Sequence, residues 1–110
     1  MKKVTLKKVS REQLAILQRE LQLYSINIHY HELKDNFLDA IILMDIINSM
    51  YYVLRSKIES YRSSFTINLP IHQAGVVLKC VLKHENNDSY AIAFLETVKT
   101  SIDQQLKSIV

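Results

Sequence analysis

One glycine, one proline and one cysteine stand among the 110 residues, and each scarcity excludes a group of structures. Sheet sandwiches, barrels and phosphate-cradling loops place glycine where φ is positive or where the backbone must approach a partner closely. With Gly75 alone available, and set inside a helical pattern, a glycine-rich phosphate loop is excluded. The chain reads instead as helices joined by short polar turns. The lone Cys80 excludes an intramolecular disulfide and suits a reducing compartment.

Long apolar runs are missing too. Asp39, Asp45 and Asn48 interrupt the most apolar stretch, so no uninterrupted window of about 18 residues suits a membrane span. The N-terminal Met-Lys-Lys-Val-Thr-Leu-Lys-Lys has the charge of a signal peptide without the apolar run that should follow it. A soluble, cytoplasmic protein without membrane association is expected. Asn87-Asp88-Ser89 then reads as a turn and not as a glycosylation site.

What is present is ordinary for one globular domain: 48% hydrophobic and 23% charged residues. The net charge of +3 is mild, but its placement is uneven. The basic excess comes from Lys2, Lys3, Lys7, Lys8 and Arg11 at the N-terminus.

The dominant pattern is a seam of Leu33, Phe37, Ala40, Met44, Ile47, Tyr51, Leu54, Ile58 and Tyr61, stepping alternately by four and three residues. That is the inner line of a helix packed along its whole length. A helix over residues 35–61 would be roughly 40 Å long. A domain of this size is about 34 Å across if spherical, so either the domain is elongated or a second subunit covers one helix end. Asp35 or Asn36 is the expected cap.

The other segments arrange themselves around that helix. Val4 and Leu6 alternate with Lys3, Thr5 and Lys7 as in a half-buried strand. Ser10 and Gln13 form a capping box that starts a helix at Arg11, with Val9 set to pack on Leu14. Leu14, Leu17, Leu21, Tyr24 and Ile28 make its inner line, and Ile16, Leu23 and Tyr30 a second line nearly opposite. Residues 24–31 also alternate with period two, but the continuing seam favours helix there. Phe65, Ile67 and Leu69 alternate as a second strand. Pro70 suits the first turn of the next helix, with Ile71, Ala74, Val77, Leu78, Val81 and Leu82 inward and Gly75 allowing a close crossing. Asp88 or Ser89 caps a last helix with Ala91, Leu95, Val98, Ile102, Leu106 and Ile109 inward. No internal repeat is visible. The expected fold is a single mainly α domain over residues 1–110: a four-helix bundle with a long central helix (about 35–61), in which residues 3–8 and 65–69 can pair as a small two-stranded ribbon.

Signals of chemistry are weak. His29, His31, Cys80 and His84 allow a zinc site to be imagined, but no spacing matches a closed Cys/His motif. Surface histidines and a core cysteine explain them better. No Glu is followed three residues later by His, which excludes a di-iron bundle. Cys80 among Val76, Val77, Val81 and Leu82 should be a buried, inert thiol. Asp39 and Asp45 stand about 240° apart around their helix, too far for paired acid–base work. No catalysis, metal or cofactor is expected.

Asp45, Asn48, Ser49 and Tyr52 form a polar sector on the most apolar helix. It reads as a solvent-facing strip or as polar positions that fix the register of a partner. Six tyrosines (Tyr24, Tyr30, Tyr51, Tyr52, Tyr61, Tyr90) suit protein contact. The expected function is therefore a non-catalytic structural or interaction accessory protein of bacterial or phage type, self-associating as a homodimer. Ile16, Leu23, Tyr30, Asp45, Asn48 and Tyr52 are its candidate interface. The alternative is a nucleic-acid accessory factor using Lys2, Lys3, Lys7, Lys8 and Arg11, although such lysines also guard a strand edge against aggregation.

Overall fold

The structure is a computed structural model that describes residues 2–109. Its elements are β1 (Lys3–Ser10), α1 (Arg11–His31), α2 (Phe37–Ile58), β2 (Ser64–Pro70), α3 (Ile71–Leu82) and α4 (Ser89–Ile109). The chain is thus mainly helical, with four helices and one two-stranded antiparallel sheet. The order strand–helix–helix occurs twice, an internal repetition that the sequence hides. Val4-Thr-Leu6 and Phe65-Thr-Ile67 lie in corresponding places, as do Gln13 and Gln73, three residues beyond the last residues of their strands.

β1 and β2 pair from Lys3↔Pro70 to Ser10↔Ser64, beyond the expected 3–8 and 65–69. Strict alternation would turn Lys8 inward with Val4 and Leu6. A register shift between Leu6 and Val9 prevents this: one extra residue bulges, Lys8 takes φ 56°, and Val9 enters the core in its place. A left-handed lysine is strained, and burial of Val9 offsets that strain. The remaining edge of β1 is covered from α4. The Gln105 side-chain amide accepts from Thr5 N and donates to Thr5 O, both at 2.8 Å.

α1 begins where expected. Ser10 Oγ accepts from Gln13 N at 3.1 Å, and Gln13 Oε1 accepts from Ser10 N at 3.0 Å. Leu14, Leu17, Leu21, Tyr24 and Ile28 are all buried, so residues 24–31 are helix and the inner line is continuous. Gln18, also buried, donates to the Tyr51 carbonyl at 3.2 Å and pins α1 against α2.

α2 departs from expectation. It spans 22 residues, about 33 Å, and lies within a molecule 40 × 31 × 26 Å across. The domain is elongated, so the length of the helix gives no reason for a second subunit. Nor is α2 central: it packs mainly on α1 and α3, and only Ala40, Ile47, Met50 and Leu54 are buried. Phe37 and Tyr61, two of the expected seam positions, are exposed. Asn36 occupies the cap position, but its side chain makes no cap hydrogen bond.

The hub is the short helix α3, which packs against the other three helices and both strands. Pro70 serves as its N-cap residue, at the end of β2 and not in the first turn. Ala74, Val76, Val77, Cys80 and Val81 are buried, whereas Ile71 and Leu82 lie exposed. A Cβ on Gly75 would meet nothing within 4 Å, so no close crossing explains that glycine. On α4, Asp88 Oδ2 caps the helix by accepting from Ala91 N at 2.9 Å, and Ala91, Phe94, Leu95, Val98 and Ile102 are buried.

Candidate interaction surfaces

Two surfaces carry what the core does not absorb, and the expected interface residues divide between them. Asp45, Asn48 and Tyr52 are all exposed on the outer face of α2. Ile16, Leu23 and Tyr30 line a groove on the far side of α1. None of the first three lines that groove.

The outer face of α2 is apolar at both ends and polar in its middle. Phe37, Leu38, Ile41, Ile42, Tyr52 and Val53 expose 43–73% of their surfaces. Between them lie Asp45, Asn48 and Ser49, with Ser49 Oγ donating to the Asp45 carbonyl at 3.1 Å. Leu38, Ile41, Asp45, Asn48, Tyr52 and Arg55 are exposed at alternating steps of three and four residues. That makes a second helical seam, turned outward. By length and composition α2 is also apolar enough to cross a membrane.

The groove has a volume of about 1240 Å³ and lies between α1 and residues 80–91 of α3, α4 and their connection. Its apolar wall is Ile16, Leu23, Ile26, Tyr30 and Tyr90, and Tyr24, Cys80 and Glu20 also line it. Glu20 is 5% exposed, and its Oε2 accepts from Asn86 Nδ2 at 3.0 Å. No feature of the sequence set this glutamate apart, because its burial depends on residues 80–91 folding over α1. Burial, and after it the Glu20 carboxylate, push the Cys80 thiol up to about 12. Burial also raises the Tyr24 phenol, with smaller contributions from Glu32 and Cys80. A thiol held protonated is a poor nucleophile and a poor metal ligand.

His31 and His84 reach the groove beside Cys80, and His29 does not; His29 stacks edge-on against Tyr30 at 5.4 Å. Among the described residues no three His, Cys, Asp or Glu side chains gather closely enough to hold a metal ion.

The basic N-terminal residues differ in their surroundings. Arg11 donates to the Ser60 carbonyl and, at 2.7 Å, to that of Arg62, clamping the α2–β2 connection. Lys2 Nζ donates to the Ile109 carbonyl at 3.3 Å. Lys3, Lys7 and Lys8 are exposed on β1, and Lys7 and Lys8 flank a smaller cleft of about 320 Å³ between β1 and α4. No known protein family, curated protein or solved structure matches the chain.

Proposed function

We propose that the four helices act as a non-catalytic bundle whose task is association, and that α2 is its self-association surface. One observation carries this reading: the one helix among the described residues that is long and apolar enough to cross a membrane has four of its 22 residues buried. The six exposed apolar residues of its outer face (Phe37, Leu38, Ile41, Ile42, Tyr52, Val53) present on the order of 700 Å², against about 800 Å² per partner in a standard interface. The outward seam is also self-complementary. Laid antiparallel, two copies place Asp45 opposite Asn48 of the second copy and Ile41 opposite Tyr52, a carboxylate beside an amide and an aliphatic beside an aromatic. Asp45 and Asn48 in mid-face suit a protein surface better than an anionic bilayer, which favours flanking cations.

Thiol-specific cross-linking tests this pairing, since the buried Cys80 does not compete. A mixture of Asp45→Cys and Asn48→Cys chains is expected to cross-link far more than either chain alone. Cross-linking no greater than that of a Thr97→Cys control on α4 would contradict it.

The second reading keeps the basic segment as a nucleic-acid contact, supported by the exposed row of Lys3, Lys7 and Lys8. Replacing those three should lower the salt slope of DNA binding by about three units. An unchanged slope, or no binding at low salt, removes it.

A further inference from the structure

The groove on the far side of α1 holds a carboxylate in an unusual state. Glu20 is 95% removed from solvent by its 5% exposure, yet no Lys, Arg or His lies within ion-pair distance of it among the described residues. Buried carboxylates are ordinarily paired, because desolvation of an uncompensated charge costs several kcal/mol. Asn86 supplies a neutral hydrogen bond to one oxygen only, Oε2. No sealed side-chain polar atom lacks a partner among the described residues, so Oε1, which accepts no hydrogen bond, keeps a little solvent contact on a residue that lines the groove. The groove therefore offers an acceptor suited to a donor carrying positive charge.

We infer that this groove binds a basic peptide segment of a partner protein, with one Lys or Arg side chain reaching Glu20 and apolar neighbours lying on Leu23 and Tyr30. The charge supports a cation: Glu12, Glu20, Glu85 and Asp88 line the groove against Arg19 and Lys83. Its shape supports a peptide. From Glu12 to His31 the wall follows α1 for about 28 Å, the length of about eight residues of extended chain. A single small amine would fill little of 1240 Å³. A guanidinium or ammonium on a methylene stem also matches the walls, since such side chains bury the stem and pair the head. The inference is independent of self-association through α2, because neither surface shares a residue with the other.

The probe is a fluorescein-labelled octapeptide alternating Leu and Arg, titrated into the full-length protein and read by polarisation. Binding is expected, at least tenfold weaker when Glu replaces Arg in the peptide. Glu20→Gln retains an acceptor for Asn86, and the variant should fold with an unchanged or higher Tm while losing at least tenfold in affinity. Tyr30→Ala, at an exposed wall position, should weaken binding without altering Tm. Wild-type affinity in Glu20→Gln overturns the proposal, as does equal binding of the Glu peptide. Competition by free phenethylamine as strong as by the peptide would assign the site to small amines and overturn the peptide reading.

Discussion

α2 and α4 occupy the same place in the two strand–helix–helix halves, and they are nearly equal in length, at 22 and 21 residues. Their inner faces are alike too, with four and five buried residues. The outer faces differ. Around α4, solvent meets Glu96, Thr97, Thr100, Gln104, Lys107 and Ser108, and Tyr90 is the single large apolar residue exposed. Around α2, solvent meets Phe37, Leu38, Ile41, Ile42, Tyr52 and Val53. Burial within the chain cannot account for that, because α4 is held by a similar inner face without it. Hydrophobicity beyond what the fold consumes is what an interface needs, and a patch of this size ordinarily has a use.

The largest effect expected tests neither outer face but the buried thiol of α3, beside Glu20 and Tyr24 of α1. Burial, and after it the Glu20 carboxylate, push the Cys80 thiol from its ordinary 9.0 up to about 12. Its folded value is raised, so stability is fully present below pH 9 and is lost as pH climbs toward 12, by about 1.4 kcal/mol per unit. The raised Tyr24 phenol adds in the same direction. Urea unfolding from pH 8 to 11 should show the decline, and Cys80→Ala should flatten it. An equal decline in the alanine variant would place its origin elsewhere.

Next come the inner faces. Leu54→Ala on α2 and Leu95→Ala on α4 should each cost about 3 kcal/mol, since both side chains are almost wholly buried. A cost for Leu54 well below that for Leu95, by chemical denaturation, would make α2 a loosely attached arm. Smaller effects are expected at the helix starts and the hub. Ser10→Ala should cost about 1 kcal/mol by removing half of the capping box. Gly75→Ala should add up to about 1 kcal/mol, because the site is helical and open. The smallest effect is expected on the outer faces: Ile42→Lys and Thr97→Lys should each change the stability of the dilute protein by less than about 0.5 kcal/mol.

Much of this was legible in the sequence because it is local. The capping box, the inner line of α1, the inner line of α4 and both strands follow from spacing within a single element. What was not legible depends on partners far along the chain. The seam through residues 33–61 points to the centre of the molecule, yet continuity of an apolar pattern says only that a face is buried, not by how many neighbours. Two apolar faces on one helix give the same composition as one fully enclosed helix, and only the position of α3 separates them. The Lys8 bulge escaped because alternation was too weak over Lys7-Lys8-Val9 to reveal a slip. Glu20 escaped because a glutamate amid a helical pattern reads as solvated until residues 80–91 cover it. Of the six interface candidates, spacing put Ile16, Leu23 and Tyr30 on one line and Asp45, Asn48 and Tyr52 on another. That the two lines belong to separate surfaces required the three-dimensional arrangement.

The most direct test is sedimentation equilibrium of the wild-type protein and of Ile41→Lys between about 1 and 100 μM, a span that brackets the affinity of micromolar interfaces. The wild-type mass should rise with concentration toward twice the 12.8 kDa of one chain, while Ile41→Lys stays at one chain throughout. A wild-type protein that remains at one chain mass over the whole range would contradict self-association through α2.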